Sequence, residues 1–173
     1  MIINTSRLII RDFKIEYWTA VHQYASQANI LIYEPWGPNS EEQTKSFVSQ
    51  AIKNALETPR LSYEFAITLA SNGKLIGGCG IKINHKNPEK ANLGYIINPD
   101  FWNQGYAIKA ATGLISTFQK RTDLKSLTAI CDEFNLASQK VLEKCDFIKT
   151  QEKFSDLKFK GRKGKTYYYE LKI

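Results

Sequence analysis

The fold is decided by residues 93–107, which read LGYIINPDFWNQGYA. The first part alternates like a strand: Leu93, Tyr95 and Ile97 share one face, and Asn92, Gly94 and Ile96 share the other. Asn98-Pro99-Asp100 breaks this strand. After Gly105 the spacing of apolar residues becomes helical, with a stripe formed by Ala107, Ala110, Ala111, Leu114 and Phe118. The segment therefore predicts a strand, a short loop and a helix.

A glycine at this junction favours close approach of a ligand to the backbone. The first turn of the helix after Gly105 has free N–H groups and the positive end of the helix dipole, which suits a pyrophosphate. One glycine before a helix is by itself most often only a turn. The segment is neither a Gly-Lys-Ser/Thr phosphate loop nor a GxGxxG dinucleotide fingerprint.

Working outward, the rest of the chain predicts alternating helices and strands. Strands are predicted at 6–12, 63–69, 74–83, 91–97, 125–131, 147–155 and 165–172. Helices are predicted at 14–27, after Ser40, after Gly105 and after Asn135. Ser40 with Gln43 forms a capping box, and Asn135 is an N-cap. The order β-α-α-β-β-β-α-β-α-β-β indicates a mixed α/β fold in one domain, 1–173.

Composition narrows the class of protein. The 173 residues suffice for one core, and no apolar run approaches the roughly 20 residues that span a bilayer. The first residues lack a signal-peptide pattern, so a cytoplasmic location and no membrane partner are expected. Cys79, Cys131 and Cys145 have no metal-ligand spacing and are expected to be buried thiols. With only His22 and His85, no metal site is expected.

The net charge of +7 admits a nucleic acid, an anionic surface or a polyanionic ligand as partner. The densest basic cluster spans residues 158–165 and is interpreted as a solvated turn between two strands. The sequence contains no recognised nucleic-acid motif, so nucleic acid is not the expected partner.

Residues 93–107 resemble the signature of GNAT acetyltransferases, in particular the branch of the ribosomal-protein N-terminal acetyltransferases. Four further segments match that branch in order: 5–11 (TSRLIIR), 73–80 (GKLIGGCG), 135–144 (NLASQKVLEK) and 145–147 (CDF). The likeness runs from about residue 5 to the end, and the shared order of the motifs makes it specific. It implies the GNAT fold: a twisted, mostly antiparallel sheet of about seven strands with a splayed parallel pair, flanked by about four helices.

The resemblance also implies roles for individual residues. Acetyl-CoA is the expected cofactor, used as a co-substrate. Its binding residues are expected to be Ile96, Ile97, Trp102, Asn103, Gln104, Gly105, Tyr106, Ala107, Asn135 and Ser138. The backbone of Ile96 and Ile97 would pair with the pantetheine arm, and an N–H there would polarise the thioester carbonyl. Ser138 would protonate the departing thiolate, although a backbone-bonding hydroxyl in the first helical turn is an equal alternative.

The chain departs from the family pattern at three positions, and the first two affect the expected chemistry. Leu142 stands where many members have a tyrosine acid, which leaves Ser138 as the candidate acid. Asn92 stands where the branch often has glutamate, which leaves no clear general base. Asp146 replaces a helix-ending glycine, which Asp tolerates because it can adopt left-handed geometry.

The expected reaction is direct transfer of acetyl to a primary amine, either a protein N-terminus or a small-molecule amine. Glu34, Trp36 and Asn92 are the candidate acceptor-binding residues, and Tyr63, Glu64 and Asp132 are lesser ones. Without a clear base, an α-amine with a pKa of about 7.7–8.0 is favoured over a lysine ε-amine near 10.4. A non-catalytic acyl-CoA-binding regulatory domain and a basic RNA- or ribosome-associated protein are the alternatives. The resemblance alone suggests a homodimer.

Overall fold

The computed structural model describes residues 1–121, 123–159 and 162–173, without the side chains of 155–159 and 162–163. Eight strands form one sheet: β1 (Ile2–Asn4), β2 (Leu8–Asp12), β3 (Ser62–Leu69), β4 (Leu75–Asn84), β5 (Asn87–Ile97), β6 (Ser126–Asp132), β7 (Ile148–Phe159) and β8 (Arg162–Lys172). The α-helices are α1 (Trp18–Ala25), α2 (Glu41–Ala55), α3 (Tyr106–Phe118) and α4 (Leu136–Lys144). Short 3₁₀ turns lie at Ile15–Tyr17 and Pro99–Phe101.

The strand order is β1-β2-β3-β4-β5-β6-β8-β7, and every neighbouring pair is antiparallel except β5 and β6. This confirms the predicted mixed fold with one parallel pair. The strand beyond the predicted set is β1, whose three residues are too short for a periodic signal. The predicted helix at 14–27 is a 3₁₀ turn followed by α1, which ends where Ser26 Oγ donates to the His22 carbonyl at 2.7 Å.

Two apolar cores lie on opposite faces of the sheet. The larger core packs α3 and α4 against the sheet around Phe65, Leu114 and Phe118. The smaller core packs α1 and α2 against the other face, around Tyr24 and Val48. The sheet is therefore a central layer, and each face has its own pair of helices.

Several local predictions are confirmed. The three cysteines are buried free thiols. Asp146 adopts the left-handed conformation with φ 63° after α4. The basic cluster at 158–165 falls mainly on residues or side chains outside the described part of the chain; Lys165, which is described, bonds Glu152 at 2.7 Å.

The capping box at the start of α2 is also confirmed. Ser40 Oγ accepts from the Gln43 N–H at 3.3 Å, and the Ser40 N–H donates to Gln43 Oε1 at 2.8 Å. These bonds satisfy the backbone N–H groups of Ser40 and Gln43, which have no carbonyl partner within the helix. The box also fixes the start of the helix that carries Phe47 and Val48.

We expect Ser40→Ala to lower the free energy of unfolding by about 1 kcal/mol, because the cap acceptor is lost. Urea unfolding followed by circular dichroism measures the change. Ser40→Thr, which keeps the hydroxyl, is the matched control and should lose much less. Equal losses in the two variants would contradict the capping role.

Candidate active site

The sheet opens where β5 separates from β6. The two strands pair only over Lys90–Asn92 and Ser126–Thr128 among the described residues. Asn92 marks the point of separation, and its Nδ2 donates to the Thr128 carbonyl at 3.3 Å. Beyond it, residues 93–97 of β5 keep their pairing with β4 but have no pairing with β6. A strand edge thus faces a gap inside the molecule.

The end of this edge is held by two hydrogen bonds, one between backbone groups and one from a side chain to the backbone. The Asn98 N–H donates to the Ile76 carbonyl on β4 at 2.8 Å. Because backbone groups alternate in direction along an antiparallel strand, those of Ile97 face the gap. The Ile97 carbonyl accepts from Trp102 Nε1 at 2.6 Å, which ties the loop to the strand. The Ile96 side chain lies on the other face of the sheet from the Ile97 side chain and lines a cavity there.

The loop that follows turns sharply into α3. Asn103 has φ 58° and Gly105 has φ 75°, both in the left-handed region. Gly105 is the N-cap of α3 and has no side chain to satisfy the first N–H groups. The N–H groups of Tyr106 and Ala107 belong to this first turn, where the helix dipole favours an anion. The pyrophosphate site between Asn103 and Ala107 stays a prediction.

The structure adds Arg7 to this loop, which sequence reasoning missed as a site residue. Arg7 Nη2 donates to the Gln104 carbonyl at 2.9 Å, and its guanidinium lies 4.7 Å from the centre of the Tyr106 ring. A Cβ at Gly105 would lie 3.3 Å from the same nitrogen. The exposed guanidinium therefore adds a positive charge beside the start of α3. No local pattern signals this contact, since 97 residues separate Arg7 from Gln104.

The start of α4 lies across the gap. Asn135 is the N-cap, and its Oδ1 accepts from the Ser138 N–H at 3.1 Å. Its amide nitrogen donates to no group in the described residues, which leaves a donor at the gap. Ser138 Oγ lies 2.9 Å from the Tyr95 hydroxyl, and that hydroxyl also lies 3.2 Å from the Ser138 carbonyl. A hydrogen-bonded pair of hydroxyls thus joins β5 to α4.

This pair changes which residues can supply a proton. Leu142 is 1% exposed in the core, so α4 offers no tyrosine hydroxyl there. Tyr95 brings one from β5 instead, and burial raises its pKa above the ordinary value, which keeps the hydroxyl protonated. Burial raises the pKa of Cys131 to about 11, so this nearby thiol is not a thiolate near neutral pH.

A cavity of about 390 Å³ opens on the opposite face of the sheet, under α1 and α2. The three predicted acceptor-side residues Glu34, Trp36 and Asn92 all line it. Its other lining residues are Phe13, Val21, Tyr24, Ala25, Asn39, Phe47, Glu64, Gly78, Cys79, Gly80, Lys82, Gly94, Tyr95 and Ile96. Tyr95 is thus shared between this cavity and Ser138.

The lesser candidates are separated by the structure. Glu64 lines the cavity. Tyr63 does not, because its ring packs edge-on against Phe118 in the larger core and its hydroxyl accepts from Arg121 at 2.8 Å. Asp132 accepts from the Phe134 N–H at the end of β6 and is also outside the cavity lining.

In the part of the chain that the structure describes, no group of three or more His, Cys, Asp or Glu side chains is placed to hold a metal ion. None of the helices in the described ranges has the length and apolar character required to cross a bilayer.

Comparison with known proteins agrees with this geometry. The sequence profile described as acetyltransferase (GNAT) domain matches residues 7–148. A protein of Bacillus subtilis (strain 168) named uncharacterized N-acetyltransferase YnaD is 31% identical over 144 residues, which cover 83% of this chain and 81% of that protein.

Solved structures extend the likeness to nearly the whole chain. A GNAT-family acetyltransferase from Bacillus anthracis is 27% identical and superposes with a TM-score of 0.86, covering 99% of this chain and 98% of that chain. A RimL ribosomal L7/L12 alpha-N-protein acetyltransferase in complex with coenzyme A is 20% identical, with a TM-score of 0.88 over 100% and 98% of the two chains. At that lower identity the likeness is one of fold. Because both the profile and the relatives cover most of its length, the chain belongs to the GNAT family and is an acetyl-CoA-dependent acetyltransferase.

Proposed function

We propose that this protein transfers the acetyl group of acetyl-CoA directly to a primary amine while both substrates are bound. The observation that carries the proposal is the separation of β5 from β6 after Asn92. The gap is bordered by the starts of α3 and α4 on one face of the sheet and by the cavity on the other. Two substrates entering from opposite faces would meet at β5.

Acetyl-CoA fits the face that carries α3 and α4. Its pyrophosphate would bind at the N–H groups of residues 103–107, with Arg7 supplying a charge-assisted contact. The pantetheine arm would lie along β5 at Ile96 and Ile97, and the amide nitrogen of Asn135 would donate to it. When bound there, the cofactor supplies a thioester carbonyl that an amine can attack.

The residues around the gap would share the chemical steps. The Ile97 N–H faces the gap and would stabilise negative charge on the carbonyl oxygen. Ser138 would donate its hydroxyl proton to the leaving sulfur, and Tyr95, 2.9 Å away, would hold and replenish that proton. A covalent acyl-cysteine is disfavoured, because burial raises the pKa of Cys131 and Cys145 and keeps both thiols protonated.

The acceptor would enter through the cavity, past Glu34 and Trp36. Asn92 is neutral and bonded to Thr128, so it would shape the site and would not remove a proton. A protein N-terminus and a small-molecule amine both present the primary amine that this arrangement requires. The hydroxyl pair Tyr95–Ser138 supports turnover over a purely regulatory acyl-CoA-binding role, since a sensor needs no proton donor at the sulfur.

A first experiment would measure release of the CoA thiol by wild-type protein with a panel of primary amines, together with mass spectrometry of the amine product. Acetylated amine formed in step with free thiol is the expected result. Saturable acetyl-CoA binding without any acetylated product would favour the regulatory role.

The pyrophosphate placement predicts a selective defect in Arg7→Ala. We expect its affinity for acetyl-CoA to fall by roughly tenfold, about 1.4 kcal/mol, because one charge-assisted contact is lost. Its affinity for S-acetylpantetheine, which has no pyrophosphate, should be unchanged. Isothermal titration measures both. Asn135→Asp keeps the cap acceptor but loses the amide donor, so this variant should weaken both ligands equally. A uniform loss in Arg7→Ala would refute the assignment.

The proton-donor role predicts a loss of kcat in Ser138→Ala. We expect a decrease on the order of 10²-fold with unchanged acetyl-CoA affinity, because the leaving sulfur loses its acid. Tyr95→Phe should lower kcat less, and the double variant should be no slower than Ser138→Ala, since both act on one proton. Steady-state kinetics with titration of acetyl-CoA checks the split. Additive effects of the two changes would argue for separate structural roles.

A further inference from the structure

The floor of the cavity contains a row of three residues that lie directly opposite one another. Glu64 on β3 pairs with Gly80 on β4, and Gly80 pairs with Gly94 on β5. A Cβ at Gly80 would lie 2.7 Å from Glu64 Oε2, so the carboxylate lies over the space that this glycine leaves open. A Cβ at Gly94 would meet nothing within 4 Å. The space over Gly94 is therefore an open trough between the Glu64 carboxylate and the gap at β5.

The distance along this trough is short. Neighbouring strands lie about 4.8 Å apart. The Glu64 carboxylate, already over β4, is therefore about one strand spacing from Gly94 at the edge of the gap. An acceptor nitrogen between the carboxylate and β5 would reach both Glu64 and the acetyl group.

Among the described residues, no charged group lies at ion-pair distance from Glu64. Its one hydrogen bond in the described residues comes from Ser62 Oγ at 3.4 Å, and it makes no ion pair there. The titratable or charged groups around Glu64 are Tyr24 on α1, Glu34 in the loop after α1, Arg60 before β3, and Cys79 and Lys82 on β4. Burial raises the pKa of Glu64, because the surrounding protein solvates the carboxylate poorly.

The remainder of the cavity limits what can bind. Phe13, Val21, Trp36 and Phe47 form an apolar wall, and Phe13 packs edge-on against Phe47 with ring centres 5.5 Å apart. Lys82 lines the same cavity and disfavours a second positive charge. The cavity volume of about 390 Å³ lies in the range of small-molecule binding sites.

We infer that the acceptor is a small monoamine with an apolar body, and that Glu64, whose carboxylate lies over Gly80, binds its ammonium group on the Gly94 side and removes a proton from it. The inference rests on the proposed acetyl transfer and names the substrate class and the base for that site. Glu64 on β3 thereby supplies the carboxylate that Asn92 on β5 lacks.

The transfer releases one proton for each amine that is acetylated. An N–H bond of the ammonium breaks, and Glu64 takes the proton. The freed lone pair forms the bond from nitrogen to the carbonyl carbon as the carbon–sulfur bond breaks. Sulfur takes the hydroxyl proton of Ser138, and the second proton lost by nitrogen passes to the Tyr95–Ser138 pair and restores that hydroxyl. The net product is one proton, which Glu64 returns to solvent.

The test compares Glu64→Gln with Glu57→Gln, which removes the same charge at an exposed position outside the cavity. With 2-phenylethylamine as the probe, Glu64→Gln should lose kcat/KM on the order of 10²-fold or more, the range for a positioned base. Acetyl-CoA affinity should be unchanged, and Glu57→Gln should behave like wild type.

The melting temperature of Glu64→Gln distinguishes a catalytic role of Glu64 from a structural one. A raised carboxyl pKa means that the folded state opposes ionisation, so the ionised Glu64 of the empty protein destabilises the fold above its ordinary pKa. Glu64→Gln should therefore unfold at the same temperature as wild type or a higher one at pH 7. A lowered melting temperature together with retained kcat/KM would overturn the inference.

A second variant blocks the trough without touching the carboxylate. Gly94→Val should fold, because a Cβ at this position meets nothing within 4 Å and valine favours strands. It should abolish turnover of 2-phenylethylamine while acetyl-CoA still binds.

Different outcomes would reject acetyl transfer and the inferred roles of the monoamine and Glu64. Absence of acetyl-CoA binding by wild type would reject the proposed function itself. Acetyl-CoA binding with faster turnover of spermidine than of 2-phenylethylamine, or unaltered turnover in either variant, would reject the inferred substrate class and base while leaving acetyl transfer intact.

Discussion

The site depends on one constraint, which is that β5 must stop pairing with β6 after three residues. Buried backbone N–H and C=O groups need hydrogen-bond partners, so an unpaired interior strand edge is costly unless a ligand or solvent satisfies it. A cofactor arm with amide groups can supply those bonds in the manner of an added strand. The gap is thus a binding site because the sheet leaves its own hydrogen bonds incomplete there.

The N-termini of α3 and α4 both border this gap, and they differ in how the first turn of each helix is capped. At α3 the glycine N-cap leaves the first N–H groups without a side-chain acceptor, which favours an external anion. At α4 the cap is filled, because Asn135 binds the Ser138 N–H, and the groups at the gap are the Asn135 amide nitrogen and the Ser138 hydroxyl, which is paired with Tyr95. The first helix start is therefore suited to charge, and the second to hydrogen bonding and proton transfer.

Features that depend on local sequence were predicted well, and features that depend on distant contacts were not. The Ser40 capping box, the Asn135 cap and the alternation of β5 follow from side-chain chemistry within a few residues. Arg7 meets Gln104 across 97 residues, and Tyr95 meets Ser138 across 43, so neither pairing leaves a local pattern. The row of Glu64, Gly80 and Gly94 requires the register of three strands, which the turns between them set only in the folded chain.

The alternation of β5 explains how one strand can serve two substrates. Gly94 and Ile96 line the cavity under α1 and α2, whereas Leu93 and Ile97 lie in the core beneath α3 and α4. Tyr95, on that second face, reaches Ser138 at the gap between the two sides. Because successive side chains point to opposite faces, a slip of one residue would place Tyr95 in the trough and Gly94 against α4. The pairing of β5 with residues Gly77 to Ile83 of β4 fixes this register. The placement of both substrates therefore depends on strand pairing well away from the reacting atoms.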